Sequence, residues 1–181
     1  MKWFTSTGDD GYTGVLGPGR VPKYDDRPSA YGTVDELSAV LGLARSHAQE
    51  ARVRGLILAV QRDLYKMMAD LATLPAAATR PEWLPVERVT WLENTIEEMG
   101  AEIEMPRAFI VPGDSAGGAA LEVARTVARR AERWVARLAH QNGLRSETAL
   151  KYLNRLSSLL FVLARIEDKA EGVIDFTLAA D

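Results

Sequence analysis

The sequence contains no cysteine and only two histidines, His47 and His140. The lack of cysteine excludes disulfides, thiolate nucleophiles and zinc–thiolate sites. The histidines lie near predicted helix ends, where histidine often acts as a C-terminal cation, and neither has glutamate at the Glu-x-x-His spacing of carboxylate-bridged metal bundles. A metal-centre bundle and a Ser–His–Asp hydrolase are therefore disfavoured.

Long apolar runs and a strongly basic surface are also missing. No stretch of about 18 apolar residues exists to span a bilayer, and the N-terminus MKWFTSTGDD lacks the apolar run of a signal peptide. The formal net charge of −3 argues against nucleic-acid binding, which depends on a basic surface. By elimination we expect a cytoplasmic protein that acts on neither a membrane nor a nucleic acid.

Strand signals are nearly absent, whereas helical periodicity dominates most of the chain. Thr33 and Glu36 form a capping-box pattern that predicts the start of the first helix. We predict five helices, at about 34–48, 51–74, 86–99, 119–140 and 146–170. With 47% hydrophobic residues, the 181-residue chain is expected to form one domain, 1–181, with an all-α, five-helix up-and-down bundle after a loop-rich opening.

The opening stretch TSTGDDGYTG, residues 5–14, gathers three glycines, three threonines and two adjacent aspartates. Glycine permits close backbone approach to a ligand, and threonine hydroxyls with bare N–H groups suit phosphate. The aspartates would have to cap backbone donors or act through a cation. An ordinary polar loop is the alternative. No Gly-Lys-Ser/Thr follows the glycines, so any ATP site lacks the Walker lysine.

The fourth predicted helix carries five arginines against two glutamates. Arg125, Arg129 and Glu132 share one face by their spacing, and the other three arginines, Arg130, Arg133 and Arg137, lie on another. A solvated helix with ordinary ion pairs would explain the pattern. Guanidinium groups also bind phosphate bidentately, so this face and the opening loop together would suit a triphosphate.

Two further polar positions have open interpretations. Asn154 lies among Leu, Tyr and Phe in YLNRLSSLLFVLAR, so we expect its amide to have a partner in the core or in a ligand, the core being favoured. Asp35 and Glu36, placed near the start of the first predicted helix, would favour its dipole. Asp35 could equally pair with an arginine elsewhere.

The chain resembles the PduO-type ATP:cob(I)alamin adenosyltransferases in six sequence blocks that occur in the same order. These blocks are TGDDGYTG, RVPK with DDR, AYGTVDEL, FIVPGDS, ARTVARRAER and YLNRLSSLLFVLAR. The resemblance covers nearly the whole chain, although about residues 50–104 match only in helical character. It implies a five-helix bundle with an N-terminal nucleotide-binding loop, assembled as a homotrimer with ATP between neighbouring subunits.

The resemblance also implies site residues. The first subunit would contribute the ATP-binding residues Thr5, Ser6, Thr7, Gly8, Asp9, Thr13, Lys23 and Arg27. The next subunit would contribute Arg125, Arg129, Glu132 and Asn154. Asp35 would pair with Arg125 across the interface, and together with Arg129 and Phe109 these two would form the catalytic set. Phe109 and Ser158 would face cobalamin, where the bulk of Phe109 keeps a lower axial ligand from the cobalt.

The implied reaction is attack of cob(I)alamin on the 5′ carbon of ATP, with inorganic triphosphate leaving. No protein nucleophile or base is needed, so the protein would position the reactants and stabilise charge, helped by Mg²⁺ bound to the phosphates rather than to protein side chains. A cobalamin reductase and a cobalamin-dependent acceptor enzyme would be partners.

Four positions depart from the usual family pattern: a basic residue is usual at Ser6, asparagine at Ser38, glycine at Asp114 and aspartate at Ser158. A catalytically weak ATP or cobalamin carrier or sensor of the same fold is therefore the alternative function, and a plain structural bundle is a third. The carrier would bind ATP without consuming it, and the structural bundle would not bind it. Neither the corrinoid preference nor the trimer can be read from the sequence.

Overall fold

The computed structural model describes residues 3–77, 79 and 81–180 of the protein. Within this part of the chain, two short strands precede five α-helices. The elements are β1 Tyr12–Gly14, β2 Arg20–Pro22, α1 Asp26–His47, α2 Ala51–Ala72, α3 Glu87–Gly100, α4 Ala116–His140 and α5 Thr148–Ala170. Helix α4 packs along both α1 and α5, α2 packs on α1, and α3 packs on α5. The predicted five-helix bundle is confirmed.

The buried stripe of α4 follows the helical period of the sequence. All six positions that the pattern placed inside are buried: Leu121, Ala124, Ala128, Ala131, Val135 and Leu138. Three of them are alanines, whose small side chains let α1 and α5 pack closely on either side of α4. Full burial of a leucine side chain contributes about 1.5–3 kcal/mol, so this stripe anchors the core and leaves the other faces of α4 for polar side chains.

Helix α1 begins one and a half to two turns before the capping box that predicted its start, so that prediction is wrong. Asp25 is the N-cap, and its side chain accepts a hydrogen bond of 2.9 Å from the Arg27 amide. Pro28 is compatible with the first turn, where its missing N–H would have no helical partner. Thr33 instead lies inside α1 and donates its hydroxyl to the Ser29 carbonyl at 2.7 Å. Asp35 is therefore well inside the helix.

Helix α4 begins at Ala116, three residues before the predicted start, because Ser115 caps it by accepting from the Gly118 amide at 2.8 Å. The poor helix propensity of Gly117 and Gly118 led to the later prediction. A Cβ atom on Gly118 would collide with the carboxylate of Asp168 in α5. Glycine is thus needed where the two helices approach.

A small antiparallel hairpin, which the sequence did not predict, follows the opening loop. It pairs Thr13 with Val21, and a separate bridge joins Leu16 to Thr73 at the end of α2. Strands of three residues are too short to show an alternating pattern. The hairpin attaches the opening loop to the bundle.

No helix in the described residues is long and apolar enough to cross a membrane.

Candidate nucleotide and corrinoid site

The opening loop is folded by consecutive turns of its own backbone. The Asp9 amide donates to the Ser6 carbonyl at 3.3 Å, and the Gly11 amide donates to the Gly8 carbonyl at 3.1 Å. Ser6 and Gly11 both have positive φ, which glycine adopts freely and serine seldom does. The Thr5 and Thr7 hydroxyls lie 2.9 Å apart, and both side chains are exposed. The loop therefore presents hydroxyl groups to the exterior in a defined conformation.

Arg20 closes this loop from the second strand of the hairpin. Its guanidinium binds both carboxylate oxygens of Asp10 at 2.8 Å and also donates to the carbonyls of Thr7 and, at 2.9 Å, Tyr12. The hydrogen bond from Arg20 lowers the pKa of Asp10. The sequence analysis missed Arg20 as a functional residue, although it is the first residue of the RVPK block. Asp10 thus orders the loop through an arginine.

Lys23 lies over the loop at Gly8. A Cβ atom on Gly8 would stand 3.0 Å from the Lys23 ammonium, and the Lys23 amide donates to the Gly11 carbonyl at 2.9 Å. Gly8 thus leaves room for the Lys23 side chain to lie directly against the loop. The Lys23 side chain is exposed, so it adds a positive charge to the same surface as the threonine hydroxyls.

Arg27, which the family resemblance placed facing the phosphates, is only 5% exposed. Its guanidinium donates to the carbonyls of Leu71 at 2.5 Å, Thr73 at 3.1 Å and Gly143 at 2.6 Å. Burial lowers its pKa. In this structure Arg27 therefore binds the end of α2 and the loop after α4, not an open anion site.

Polar side chains from α4 and α5 meet on one exposed surface. Glu132 accepts a 2.9 Å hydrogen bond from the Asn154 amide, and Asn154 accepts one of 2.6 Å from Arg155. Ser158 is exposed one turn further along α5, and Arg129 is exposed one turn before Glu132. The expectation that Asn154 has a core partner is wrong, because its face of α5 is open to solvent and its partner is a surface carboxylate. Arg129, Glu132, Asn154 and Ser158 are thus brought together.

Arg125 takes its ion-pair partner from its own helix. Its Nε lies 2.6 Å from Glu122 Oε2, and Glu122 is almost fully buried. Asp35 lies exposed on α1. The neighbouring Glu36 forms an ion pair with Arg130 of α4. The pairing of Asp35 with Arg125 across subunits stays a prediction.

The Phe109 ring is 87% exposed on the loop before α4. The backbone from Phe109 to Val111 pairs with residues 177–179: the Ala179 amide donates to the Phe109 carbonyl and the Val111 amide to the Thr177 carbonyl, each at 2.8 Å. Asp114 accepts from the Thr177 amide at 2.9 Å and hydroxyl at 2.6 Å, which lowers the Asp114 pKa. An exposed aromatic side chain on a fixed backbone is suited to a flat ligand or a partner surface.

Within the described residues, no group of three or more His, Asp or Glu side chains could hold a metal ion. The chemistry available at these surfaces includes hydroxyl groups, backbone amides, arginine and lysine charges, the Glu132 carboxylate with the Asn154 amide, and the exposed Phe109 ring. Such groups bind anions and flat molecules and can stabilise a leaving anionic group.

A helical bundle with these surfaces is the fold of the PduO-type adenosyltransferases. The structure aligns with a TM-score of 0.93 and 30% identity to a variant of the PduO-type ATP:corrinoid adenosyltransferase from Lactobacillus reuteri complexed with cobalamin and ATP, covering 99% of this chain and 100% of that one. A second variant of the same protein, complexed with ATP, aligns with a TM-score of 0.85 at 30% identity, covering 97% and 98% of the two chains.

The sequence profile of the family described as cobalamin adenosyltransferase matches residues 3–167. The chain belongs to this family. It is 38% identical to the corrinoid adenosyltransferase of Citrobacter freundii, over 94% of this chain and 97% of that protein. It is also 38% identical to the corrinoid adenosyltransferase of Bacillus subtilis, over 97% of this chain and 91% of that protein. The chain is likewise 38% identical to the corrinoid adenosyltransferase PduO of Salmonella typhimurium. That alignment covers 93% of this chain but only 50% of the PduO protein, which is longer.

Proposed function

We propose that this protein transfers the 5′-deoxyadenosyl group of ATP to the cobalt of cob(I)alamin, giving adenosylcobalamin and inorganic triphosphate. The observation that carries the proposal is the opening loop, which is held by Arg20 and presents threonine hydroxyls and the Lys23 ammonium in a chain of this family. Such a loop suits the phosphates of ATP without the Walker lysine.

The reaction needs no protein nucleophile. The electron pair of Co(I) forms the bond to the 5′ carbon, and the C5′–O bond breaks with its electrons leaving on the triphosphate. The residues of this chain therefore align the reactants and stabilise negative charge on the leaving group. We assign the charge stabilisation to Arg125 and Arg129, with Mg²⁺ bound through the ATP phosphates.

The two surfaces would act together in a homotrimer. The opening loop, with the proposed ATP residues Thr5, Ser6, Thr7, Gly8, Asp9, Thr13 and Lys23, would come from one subunit. The α4 and α5 surface, with Arg129, Glu132 and Asn154, would come from the next, where Asp35 would meet Arg125. The buried contacts of Arg27 favour a structural role for this residue over phosphate binding.

Phe109 and Ser158 are the proposed corrin contacts. The exposed ring of Phe109 is held by backbone pairing on a loop next to α4, so it would press on the corrin and exclude a lower axial ligand. We expect the reaction to take place in the cytoplasm, where ATP is available. A reductase must supply cob(I)alamin, and an adenosylcobalamin-dependent enzyme would receive the product.

The test is an anaerobic assay with purified protein, ATP, Mg²⁺ and chemically reduced cobalamin, in which the loss of cob(I)alamin absorbance and the triphosphate released are followed together. Arg129→Ala is expected to lower kcat by about 100-fold, the usual effect of losing one donor to a developing anion. Its fold should persist, because Arg129 is exposed. Arg62→Ala, on the exposed face of α2, is the matched control and should retain full activity.

Full activity in Arg129→Ala would remove this arginine from the site. ATP binding without loss of cob(I)alamin in the unmodified protein would overturn the proposed reaction and favour a carrier or sensor.

A further inference from the structure

Glu122 places a carboxylate inside the bundle between two arginines. It is 3% exposed, its Oε2 accepts from Arg125 Nε at 2.6 Å, and its Oε1 lies 3.6 Å from Arg165 Nη2. A buried carboxylate is costly unless charged partners compensate it, and here one partner is internal and the other reaches the surface. Glu122 therefore connects the interior of the bundle to Arg125.

The internal partner, Arg165, is held firmly. It is 1% exposed, and its guanidinium carbon lies 5.3 Å from the ring centres of both Phe161 and Phe176. Its Nε approaches Asp168 Oδ2 to 2.9 Å as an ion pair without the alignment of a hydrogen bond. Asp168 in turn accepts a 2.6 Å hydrogen bond from the Ser115 hydroxyl that caps α4. Arg165 therefore gives Glu122 a buried ion-pair partner inside the bundle.

Arg125 uses only its Nε within the chain. Its terminal nitrogens, Nη1 and Nη2, have no acceptor among residues 3–77, 79 and 81–180, and its side chain is 28% exposed. An arginine side chain held at Nε loses much of its rotamer freedom before a ligand arrives, and the planar group then offers its outer edge in one orientation. That edge remains for acceptors outside this chain, which in the proposed trimer are Asp35 of the neighbouring subunit and the triphosphate.

We propose that Glu122 is a positioning residue, which holds the Arg125 guanidinium in the orientation that receives the triphosphate of ATP. This inference rests on the proposed function, because it requires Arg125 to face the phosphates. Glu122 itself touches no substrate. Its negative charge would repel triphosphate if it stood alone, but the positive charges of Arg125 and Arg165 together balance the negative charges of Glu122 and Asp168.

The experiment compares the unmodified protein with Glu122→Gln, Arg125→Ala and the double variant. Glutamine keeps the size of the side chain and one acceptor oxygen but removes the negative charge, so it binds the guanidinium less strongly than glutamate does. We expect Glu122→Gln to lower kcat/KM for ATP about tenfold, which corresponds to about 1.4 kcal/mol. In the Arg125→Ala background the same change should have no further effect, since Glu122 acts through Arg125.

Equal losses from Glu122→Gln in both backgrounds would overturn the proposal, because the carboxylate would then act independently of Arg125. Unchanged kinetics in Glu122→Gln would overturn it as well.

Asp63→Asn is the matched control for the loss of a buried carboxylate. Asp63 is also 3% exposed, accepts from Arg88 Nε at 2.7 Å and from the Tyr152 hydroxyl at 3.0 Å, and lies in α2, outside the proposed site. This variant should lose thermal stability but keep kcat and KM. A loss of kcat/KM equal to that of Glu122→Gln would show a general effect of destabilisation and overturn the proposal.

Calorimetric titration with inorganic triphosphate separates this inference from the proposed reaction. If the unmodified protein binds triphosphate but does not adenosylate cobalamin, the reaction fails, and weaker binding by Glu122→Gln still supports the positioning role. If the unmodified protein does not bind triphosphate, or Glu122→Gln binds it equally well, the positioning role fails.

Discussion

Replacement of Arg27 with methionine is expected to destabilise the bundle without weakening ATP binding. The buried guanidinium donates to three carbonyls, two at the end of α2 and one at Gly143, between α4 and α5. Methionine has a similar length and no donors, so it would leave these carbonyls without their partner. The variant thus tests whether Arg27 is structural, as its contacts indicate, or binds phosphate, as the family resemblance implied.

The size of the effect follows from the number of hydrogen bonds lost. At about 1 kcal/mol net for each of three bonds, the free energy of unfolding would fall by about 3 kcal/mol. For a chain of this length each kcal/mol shifts Tm by about 2–4 °C, so we expect a decrease of about 6–12 °C. This is an upper limit, because burial, which lowers the Arg27 pKa, makes the charge itself costly and methionine removes that cost.

Thermal unfolding at one fixed protein concentration measures the first effect, since assembly would make Tm depend on concentration. The anaerobic assay measures KM for ATP at a temperature where the variant is folded, and we expect the KM to stay within about twofold of the unmodified protein. Arg62→Met, at an exposed position of α2, is the control for the substitution itself. An unchanged Tm together with a tenfold higher KM would refute the structural assignment.

Two further predictions concern the loops. Arg20→Ala, which frees the loop of residues 5–14 from Asp10, is expected to raise KM for ATP several-fold with little change in kcat at saturating ATP, because binding must then order the loop; an unchanged KM would contradict this role. The hydrogen bonds from Thr177 lower the pKa of Asp114 in the folded protein. Their stabilising effect is therefore complete above the pKa of Asp114 in the unfolded chain, about 4, and is lost as the pH falls through the lower pKa of the folded protein. The protection factor of the Thr177 amide, which corrects for the intrinsic pH dependence of exchange, should therefore fall in acid, and an Asp114→Asn variant with the same pH dependence of protection would exclude Asp114 as the cause.

The helical stripe of α4 could be predicted because burial follows a local period: Leu121, Ala128 and Val135 recur at heptad spacing and are all buried. The start of α1 was missed because two possible capping residues, Asp25 and Thr33, lie eight residues apart. The capping box at Thr33 is the stronger sequence pattern, but the N-cap of α1 in the structure is Asp25. Local signals show that a helix exists better than they show where it begins.

The site was harder to predict because its contacts join distant residues. The spacing of Arg125, Arg129 and Glu132 predicted that they share one face of a helix, because that information is local. The hydrogen bond from Arg27 to the Gly143 carbonyl could not be predicted in this way, because the two residues are 116 positions apart. Asn154 was expected inside because apolar residues surround it in sequence, whereas the structure opens its face of α5 beside Glu132. Sequence neighbours do not reveal which face a second helix covers.

The pairing between the Phe109 loop and the last residues of the chain affects the order in which a newly made molecule matures. The turns around Asp10 and Arg20 close within 10 residues, whereas Asp114 must wait for Thr177, 63 residues later. At a synthesis rate of about 5–20 residues per second, that interval lasts about 3–13 s on the ribosome. A nascent chain can therefore form its opening loop early, but it can fix Phe109 only after residues 177–179 have been synthesised.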